Sequence, residues 1–356
     1  MLNAKLYDVA IVGAGPGGSV AALGLARAGH SVLLIDKTEF PRHKVCGDAI
    51  PNNAMRLLQR EFPDVEKAIR EQSAQPINGY RAYWKGLRIA SGTWPMQAVN
   101  AARASFDHTL LLAALKEPNC HLAAPHRIVS VQRQPTKSWI VSDAHGQQFQ
   151  ARAIILAHGA NGDFRTQLGL DHLDKSQWGV AGSEYRTNWS SPPTRNLFFI
   201  PKGLSLPGYF WIFPTGDDRC NVGFGVISDK PVKLKSLYQE VCSKDPKIAQ
   251  FLKGTNPKSV FQGHKIPIPQ RPIACSAPGA LLIGDATELV DPLFGHGIDK
   301  AMISGFWAAQ ALIQGFESGN LECFRAYEQR IHKTLYPEML KNFKRMRTLT
   351  KVLQWL

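Results

Sequence analysis

The sequence predicts an α/β protein in which a parallel-sheet domain is interleaved with an antiparallel β-sheet domain and followed by a C-terminal helix. Three observations predict this: a complete β-α-β unit within residues 5–36, a strand-rich stretch over residues 177–264, and a further strand, turn and helix after residue 279. Of the 356 residues, 44% are hydrophobic, which suits a folded chain with a large core and excludes a disordered or collagenous chain.

The β-α-β unit contains a glycine fingerprint. Its predicted elements are a strand over residues 5–12, a helix over residues 19–29 and a strand over residues 31–35. At the first turn, Gly13 permits a tight bend, Gly15 lets the backbone approach a pyrophosphate, and Gly18 allows close helix–strand packing. In this context the fingerprint indicates a dinucleotide site, and the alternative is a glycine-rich turn without function.

The start of the helix and Asp36 complete the predicted dinucleotide site. A helix N-terminus offers free N–H groups and a partial positive charge to phosphates. Asp36, at the end of the second strand, would accept hydrogen bonds from the ribose of the adenosine half. Its charge disfavours a 2′-phosphate, so we expect this pocket not to hold NADP.

The remaining elements are predicted from apolar runs and helical spacing. They are a hairpin over residues 79–94 with its turn at Lys85-Gly86, a helix over residues 105–116, two strands within residues 127–141, a strand over residues 153–157, a helix near residues 234–244, a strand over residues 280–283, a helix over residues 298–316 and a last helix from about residue 321 to the end. The strand-rich parts fall between parts of the nucleotide fold, so we expect the two domains to be interleaved.

The second half of the chain favours FAD over NAD as the dinucleotide. The strand at residues 280–283 runs into a turn where Asp285 can accept hydrogen bonds from the ribityl hydroxyls of a flavin. The next turn opens a helix at Gly297 and Ile298. Their backbone N–H groups can serve the N1/O2 edge, where reduced flavin carries negative charge.

Several motifs resemble those of a large flavoprotein group. The fingerprint, Arg103-x-x-Phe106-Asp107 and Gly284-Asp285-Ala286 with Asp291-Pro292 are similar to motifs of the p-hydroxybenzoate-hydroxylase-like FAD oxidoreductases. This resemblance implies a Rossmann-like FAD-binding domain.

Two further stretches resemble the geranylgeranyl reductase family. They are residues 40–48 (FPRHKVCGD) and Tyr209-x-Trp211-x-Phe213-Pro214, which is followed by Gly223-x-Gly225. The resemblance covers roughly residues 5–315. It implies bound FAD and, as in characterised members, reduction of isolated C=C bonds in isoprenoid chains, a reaction of lipid metabolism.

Three positions depart from the family pattern. Residues 157–162 have the sequence AHGANG, so His158 replaces an acid and Gly162 a serine. His296 lies where members often have glutamate or another residue. Because the stretch 157–162 is associated with FAD and nicotinamide contacts, the electron donor stays open between NAD(P)H and a reduced protein such as ferredoxin.

The element order and the resemblance together predict three parts of the chain. They are a Rossmann-like FAD-binding domain over residues 1–78, 100–175 and 266–320, a β-rich substrate-binding domain over residues 79–99 and 176–265, and a basic amphipathic C-terminal helix over residues 321–356.

The predicted FAD ligands come from the fingerprint, from the motifs of the resemblance and from the turns that follow two buried strands. They are Gly13, Gly15, Pro16, Gly17, Gly18, Asp36, Lys37, Arg42, Cys46, Gly47, Arg103, Gly159, Gly284, Asp285, Pro292, Gly295, Gly297 and Ile298. Arg42 holds the FAD phosphates or coats a surface turn, and we place Lys44 at the surface.

Four residues are predicted near the reacting atoms. The resemblance places Cys46 near the flavin, where it either donates a proton or is a small buried residue. Tyr209 and Trp211 share one strand face with Phe213, which favours an apolar wall for an isoprenoid or aromatic substrate over a plain core strand. His296 is either the proton donor that alkene reduction requires or a structural histidine at a helix start.

The chain is strongly basic, with 42 Lys and Arg against 28 Asp and Glu and a net charge of +14. The last helix contributes Lys341, Lys344, Arg345, Arg347 and Lys351, interleaved with apolar residues up to Trp355. This pattern predicts either contact with an anionic membrane surface or a helix packed on the body with a solvated basic face. Since no nucleic-acid motif accompanies the charge, we expect no nucleic-acid partner.

Composition also bears on metal content and compartment. The six cysteines are scattered without a C-x-x-C pair, which indicates neither a metal site nor a disulfide framework and suits a reducing cytoplasm. The chain lacks an apolar run of about 18 residues and a basic leader before an unbroken apolar stretch. We therefore expect a cytoplasmic protein with peripheral membrane contact.

The predicted function is FAD-dependent reduction of C=C bonds in an isoprenoid or other apolar small molecule, with a redox partner protein as one electron source. Two alternatives stay open. One is a flavin-dependent monooxygenase or halogenase of the same fold, because Trp211-x-Phe213-Pro214 partly matches the halogenase motif W-x-W-x-I-P. The other is a non-catalytic flavin electron relay.

Overall fold

The computed structural model describes residues 5–72, 74–162, 164–173, 178–190, 194–201, 206–216 and 218–355, without the side chains of residues 95–97 and 350–355. The strands are β1 (Leu6–Val12), β2 (Val32–Ile35), β3 (Ala49–Ile50), β4 (Gln75–Trp84), β5 (Leu87–Asn100), β6 (Cys120–Ala123), β7 (Ile128–Arg133), β8 (Trp139–Asp143), β9 (Gln148–Leu156), β10 (Trp178–Thr187), β11 (Arg195–Ile200), β12 (Gly208–Gly216), β13 (Arg219–Ser228), β14 (Asn256–Pro257), β15 (Gln262–Pro267), β16 (Ser276–Ala277) and β17 (Ala280–Leu282). The helices are α1 (Pro16–Arg27), α2 (Asn52–Glu61), α3 (Pro63–Gln72), α4 (Arg103–Leu115), α5 (Leu234–Lys244), α6 (Pro246–Leu252), α7 (Ile298–Glu317), α8 (Arg325–Thr334) and α9 (Tyr336–Trp355), with short 3-10 turns at Thr166–Leu168 and Gly284–Thr287.

The first sheet has a parallel centre in the order β17-β9-β1-β2-β6. Helices α1, α4 and α7 cover one face, where Val9 and Ile11 of β1 point into their core. The β7–β8 hairpin covers the other face, where Ala10 and Val12 are buried. Burial on both faces explains why β1 is a continuous apolar run rather than an alternating one.

The backbones of helices α1 and α7 are in contact where they cross, because each helix has a glycine there. A Cβ on Gly17 would lie 2.7 Å from the carbonyl oxygen of Ala301, and a Cβ on Gly305 would lie 2.3 Å from the carbonyl oxygen of Gly17. This crossing joins the start of the chain to the start of α7, so the two turns that were predicted to bind the dinucleotide share one rigid support.

The second sheet has the order β14-β10-β13-β12-β11-β4-β5-β3, with β15 on the free side of β10. Its back face packs on α5 and α6, while its front face turns toward the first sheet's domain. The expected antiparallel pairing holds except between β11 and β4, which run parallel. The exception arises because β11 reaches β4 through a long crossover instead of a hairpin turn.

The predicted hairpin is confirmed and is longer than expected. β4 and β5 meet at Lys85 and Gly86, whose φ values of 49° and 82° form the two-residue turn that suits twisted strands. β4 begins at Gln75, before the boundary predicted at residue 79, and β3 also pairs with β5. The predicted domain limits themselves stay a prediction.

The prediction of one last helix from about residue 321 is wrong. The chain forms α8 and α9, with the break at Leu335. Pro337 causes it, because its ring excludes the carbonyl four residues earlier from a continuous helix. Within the described residues, none of the helices combines the length and apolarity that crossing a bilayer requires.

The apolar side of α9 packs on the body of the protein. Met339, Phe343 and Met346 are buried, while Lys341 and Lys344 are exposed. The predicted alternative of a packed helix with a solvated basic face therefore describes α9 up to residue 349. The side chains of Lys351 and Trp355, which entered the membrane prediction, lie outside the described residues.

Candidate active site

A large cavity of about 1830 Å³ lies between the two sheets. Its walls come from the fingerprint turn, from residues 42–53, from the loop that leads into α7 and from the front face of the second sheet. All eighteen predicted FAD ligands and all four predicted catalytic residues line it. The structure thus brings the predicted site residues together, while their individual roles stay predictions.

Steric necessity explains the glycines of the fingerprint turn. Gly13 has φ 112°, and a Cβ there would lie 2.3 Å from the carbonyl oxygen of Ala157. A Cβ on Gly18 would lie 1.9 Å from the carbonyl oxygen of Gly13. No described side chain caps the first turn of α1, so its backbone N–H groups are available to an anion in the cavity.

Asp36 ties the fingerprint turn to the end of β2. Its Oδ2 accepts the N–H of Ala14 at 2.9 Å, and its Oδ1 accepts the N–H of Thr38 at 3.0 Å. A carboxylate oxygen accepts more than one hydrogen bond, so Asp36 retains capacity for a ribose hydroxyl. Lys37 lines the cavity beside it.

Two arginines share one buried carboxylate next to α1. Asp107 accepts Arg103 Nε at 2.6 Å and Arg103 Nη2 at 2.8 Å, and Arg42 Nη2 lies 3.3 Å from the same group. Arg42 Nη2 also lies 3.5 Å from the position of a Cβ on Gly15, so it borders the start of α1. Two cations against one anion leave net positive charge where a pyrophosphate would bind.

A second uncapped helix start faces the same cavity at α7. Among the described residues, no side chain caps the turn that follows Gly297. The carboxylate of Asp285 lies beside it, since a Cβ on Gly297 would lie 3.3 Å from Asp285 Oδ1. Burial raises the pKa of Asp285, and the charges of Lys44 and Arg103 oppose that rise. The uncapped N-termini of α1 and α7 each have a carboxylate nearby, Asp36 and Asp285. Together they fit the adenosine half and the flavin half of FAD.

We call the turn at residues 13–18 and the loop before α7, with the charged residues beside them, the FAD cradle. The Cys46 sulfur lies between this cradle and the second sheet. Burial raises the pKa of the Cys46 thiol, and the charge of Arg103 opposes the rise. The thiol therefore keeps its proton at neutral pH, and the same charge favours the thiolate that proton donation leaves.

The Cys46 turn (residues 46–48) ends in a buried carboxylate with an unusual backbone. Asp48 has φ 64°, a left-handed conformation that residues with a Cβ rarely adopt. Its Oδ2 accepts the Tyr185 hydroxyl at 2.6 Å and the Asn221 amide at 2.9 Å. Burial raises the pKa of Asp48 to about 6, although these hydrogen bonds act in the opposite direction.

The carbonyl of Cys46 is also anchored to the second sheet. It accepts the Asn221 amide at 2.8 Å and the Ser183 hydroxyl at 3.0 Å. Sequence analysis missed Asp48, Asn221 and Ser183 as site residues. The available signal was Asn221 itself, a polar residue between Cys220 and Val222 in an otherwise apolar and glycine-containing part of β13.

The indole of Trp211 lies flat on β13 beside the Cys46 turn. A Cβ on Gly223 would lie 2.1 Å from Trp211 Cζ2, so the first glycine of Gly223-x-Gly225 makes room for the ring. Trp211 Nε1 donates to Asn221 Oδ1 at 2.9 Å. Because its N–H is already used, Trp211 can act as a wall and not as a proton donor.

Tyr209 connects the sheet to the loop before α7. Its hydroxyl donates to the carbonyl of Phe294 at 2.6 Å, and burial raises its pKa. It lies near Gly295, since a Cβ there would be 3.7 Å from the hydroxyl oxygen. Tyr209 therefore closes the cavity between the sheet and the second helix start.

His296 stands at the start of α7 in a charged cluster. Its Nδ1 lies 3.1 Å from Asp299 Oδ1 and 3.3 Å from Lys300 Nζ. Burial alone would raise the pKa of Asp299, but the hydrogen bond from His296 and the charges of His296 and Lys300 hold it at about 2. Asp299 and Lys300 orient the His296 imidazole through Nδ1. This orientation suits proton transfer through Nε2, and it equally suits a structural role.

The prediction that Lys44 lies at the surface is wrong. Lys44 lines the cavity, where burial lowers its pKa to about 8. His264 on β15 also lines the cavity, and burial together with Lys44 and Lys37 lowers its pKa to about 4. His264 lies in no motif that the sequence shows, and Lys44 lies in the motif of residues 40–48 without any local sign of burial.

Sequence comparison identifies relatives of this chain. Residues 6–218 match the family model described as "FAD binding domain". The chain is 30% identical over 318 residues to a menaquinone reductase of Mycobacterium tuberculosis, a match that covers 86% of this chain and 76% of that protein. It is 27% identical over 356 residues to a digeranylgeranylglycerophospholipid reductase of Thermoplasma acidophilum, covering 95% of this chain and 86% of that protein.

Structure comparison finds the same fold in solved flavoproteins. A geranylgeranyl bacteriochlorophyll reductase-like protein from Thermoplasma acidophilum superposes with a TM-score of 0.83 at 24% identity, over 98% of this chain and 90% of that one. The halogenase PltM, solved with phloroglucinol and FAD, gives 0.77 at 18% identity, over 92% and 73%. These findings confirm the predicted fold class and the FAD cofactor. The chain belongs to the geranylgeranyl reductase family of FAD-dependent oxidoreductases.

Proposed function

We propose that this oxidoreductase reduces isolated C=C bonds of an isoprenoid or other elongated apolar substrate. The observation that carries the proposal is the continuity of one cavity, from the FAD cradle across the Cys46 turn to an apolar sheet face. Relatives named for the reduction of digeranylgeranylglycerophospholipid and of menaquinone support it.

The apolar floor of the cavity is long. Ile266 on β15, Val180 on β10, Trp211 on β12, Phe198 on β11 and Ala82 on β4 all line it. At the usual strand spacing, the six neighbouring strands from β15 to β4 span ~24 Å. A floor of this length suits an extended hydrocarbon chain better than a single aromatic ring.

Alkene reduction needs a hydride and a proton. Reduced FAD would supply the hydride. We propose Cys46 as the source of the proton, because its thiol lines the cavity and is protonated at neutral pH, and the charge of Arg103 favours the thiolate that remains. His296, oriented by Asp299, is the other candidate donor. We propose that a substrate on the apolar floor displaces water, so that one of these two side chains supplies the proton.

The proposal is tested with chemically reduced enzyme. The FAD-loaded protein is reduced anaerobically with dithionite, mixed with geranylgeranyl lipids and followed by flavin absorbance and by mass spectrometry of the lipid. We expect flavin reoxidation and a gain of two hydrogens for each double bond reduced. Dithionite makes the result independent of the natural donor, whether NAD(P)H or ferredoxin.

Two cysteine variants make this experiment specific. Cys46→Ala should retain FAD and slow reoxidation by the lipid about 100-fold, the usual effect of losing a proton donor. Cys323→Ala removes an exposed cysteine and should change nothing. Flavin that stays reduced until oxygen enters would contradict the proposal. Oxygen use coupled to an aromatic substrate would then favour a monooxygenase or halogenase, and reoxidation only by a protein acceptor would favour an electron relay.

We also propose that the rim of the cavity contacts an anionic membrane surface. Phe294 and Leu349 line the cavity and are 54% and 51% exposed. Leu293, beside Phe294, packs against Phe343 and Met346 of α9, and Leu349 lies one turn beyond Met346. An exposed apolar rim next to an exposed basic helix is typical of membrane-surface contact.

Vesicle binding tests this contact. Protein should cosediment with phosphatidylglycerol vesicles and not with phosphatidylcholine vesicles at low salt, because basic side chains of α9 supply the attraction. The triple change Lys341→Glu, Lys344→Glu and Arg347→Glu should abolish binding. The matched control, Lys116→Glu, Lys230→Glu and Lys253→Glu, alters net charge equally on other exposed surfaces and should retain binding. Equal loss in both triple variants would contradict a contact through α9.

A further inference from the structure

We infer that Asn221 is a positioning residue for the Cys46 thiol, an inference that rests on the proton-donor role proposed above. Asn221 lies on β13 and is only 1% exposed. Its amide nitrogen donates to the Cys46 carbonyl at 2.8 Å and to Asp48 Oδ2 at 2.9 Å, and its Oδ1 accepts the Trp211 N–H at 2.9 Å. One side chain therefore joins the Cys46 turn to the aromatic wall.

These bonds determine where the sulfur points. The Cys46 carbonyl and the Asp48 carboxylate are the two ends of the turn, and Asn221 contacts both. Asp48 adopts a left-handed backbone that must be held by its surroundings. Because only Gly47 separates Cys46 from Asp48, contacts at both ends fix the backbone from which the Cys46 side chain projects. Without the Asn221 amide, the described side-chain hydrogen bonds that still hold the turn to the sheet are those of Ser183 to the Cys46 carbonyl and of Tyr185 to the Asp48 carboxylate, and no single side chain then contacts both ends.

The same side chain determines the spacing between the thiol and the substrate wall. The Trp211 indole faces Gly47, because a Cβ there would lie 3.2 Å from Trp211 Nε1. Asn221 accepts that N–H while it holds the Cys46 carbonyl. A change at Asn221 should therefore move the proton donor and the wall relative to each other.

Cysteine reactivity tests the inference directly. FAD-loaded parent, Asn221→Ala and Tyr238→Phe are alkylated with iodoacetamide, and each cysteine is quantified by peptide mass spectrometry. Tyr238→Phe is the matched control, since it removes a buried hydrogen bond to Glu184 in the same sheet without touching the turn. We expect Asn221→Ala to raise the Cys46 rate about tenfold, the effect of losing buried hydrogen bonds. The buried Cys120, Cys220 and Cys275 should react as in the parent.

Two results would overturn the inference. A Cys46 rate within about twofold of the parent would show that Asn221 does not hold the thiol. A parallel rise at all buried cysteines would show that Asn221 only supports the fold. Asn221→Leu keeps roughly the side-chain volume and loses the amide donor, together with the acceptor for Trp211. It should reproduce the selective rise at Cys46, and it replaces the alanine variant if that protein does not fold.

The lipid assay separates this inference from the proposed function. If the parent reduces the lipid, Asn221→Ala should lower kcat about tenfold with KM unchanged. It should add no further loss on a Cys46→Ala background, because both changes act on the same proton. If the parent reduces no lipid, the proposed function fails, and the alkylation result still decides whether Asn221 positions Cys46.

Discussion

Two buried carboxyls in the site have pKa values shifted in opposite directions. Burial raises the pKa of Asp48 to about 6, whereas His296 and Lys300 overcome burial and hold the pKa of Asp299 at about 2. The two pKa values differ because Asp299 has cationic partners of its own and, in the described part of the chain, Asp48 does not. Lys300 is 3.4 Å from Asp299, while the guanidinium of Arg103 is committed to the carboxylate of Asp107.

The raised pKa of Asp48 predicts a pH-dependent stability. The ordinary value is 3.8, so the folded protein holds this proton more tightly than the unfolded chain. The stabilising contribution is full below about pH 4 and is lost as the pH rises through about 6, a loss of about 3 kcal/mol. We expect the difference in unfolding free energy between the parent and Asp48→Asn to fall by this amount between about pH 4 and pH 7, as measured by urea unfolding.

The control for this prediction is Asp64→Asn, which alters an exposed carboxyl on α3 whose pKa is lowered by its hydrogen bond to Arg27. Its difference from the parent should not fall as the pH rises. A pH-independent difference for Asp48→Asn would mean that Asp48 is ionised at the same pH in the folded and unfolded states.

The resemblance of two motifs to the geranylgeranyl reductase family pointed to Cys46, Tyr209 and Trp211, which all line the cavity, and their catalytic roles stay predictions. The motifs could not find Asn221, because the role of that residue depends on β13 lying under a turn that is far away in the chain. Lys44 was misplaced for a similar reason. A lysine between histidine and valine looks like a surface residue until the second sheet covers it.

The aromatic motif and the glycine motif are two halves of one cross-strand arrangement. In the antiparallel register of β12 and β13, Tyr209 pairs with Gly225 and Trp211 pairs with Gly223. Each large ring thus has a glycine as its neighbour across the strands. The arrangement lets the indole lie flat on the sheet, where it forms the floor beside the Cys46 turn.

A side chain at Gly223 should disrupt this arrangement. Its Cβ would lie 2.1 Å and 2.4 Å from two indole atoms, so Gly223→Ala should lower the free energy of unfolding by about 3 kcal/mol and displace the ring. Urea unfolding and near-ultraviolet circular dichroism measure the two effects. Gly263→Ala, on the edge strand β15, is the control, because its Cβ would meet the flexible end of Leu234 at 3.3 Å and the Ala181 carbonyl oxygen at an ordinary contact distance of 3.8 Å. Similar losses in both variants would contradict the argument.

Local chemistry predicted some elements and not others. The Lys85-Gly86 turn specifies its hairpin without help from the rest of the chain. Asp245 caps α6 by accepting the N–H groups of Lys247 and Ile248, a signal that was present in the sequence and not used. The parallel pairing of β11 with β4 had no local signal, because it depends on the path of the whole chain.

At the scale of the whole molecule, the cavity links distant parts of the chain. The FAD cradle combines the turn at residues 13–18 with the loop before α7, and the second sheet closes the cavity from the other side. The order of β-α-β unit, strand-rich insert and returning strand was predicted from the sequence. The enclosure of one cavity by both sheets was not, because it depends on how the sheets face each other.

This linkage predicts that FAD stabilises the molecule as a whole. At about 100 times Kd, a ligand that binds only the folded state adds about 2.7 kcal/mol. Arg42→Ala should weaken FAD binding about tenfold and reduce this gain by about 1.4 kcal/mol at the same FAD concentration. Thermal unfolding with and without added FAD measures the gain.

The apoprotein and a surface variant are the controls. Asp107 keeps both hydrogen bonds from Arg103 when Arg42 is removed, so Arg42→Ala should destabilise the apoprotein less than the FAD-loaded form. Arg60→Ala, on the exposed side of α2, should leave both values unchanged. If the apoprotein loses as much as the FAD-loaded form, Arg42 supports the fold and not the cofactor.

The crossing of α1 and α7 has a consequence for how such a sequence can diverge. The backbone of Gly17 occupies the space that a side chain at Gly305 would need, and the backbone of Ala301 occupies the space that a side chain at Gly17 would need. A mutation at either position separates the helices and with them the two halves of the FAD cradle. No second substitution nearby restores the contact, since the obstructing atoms belong to the backbone. We therefore expect related chains either to retain both Gly17 and Gly305 or to lack both.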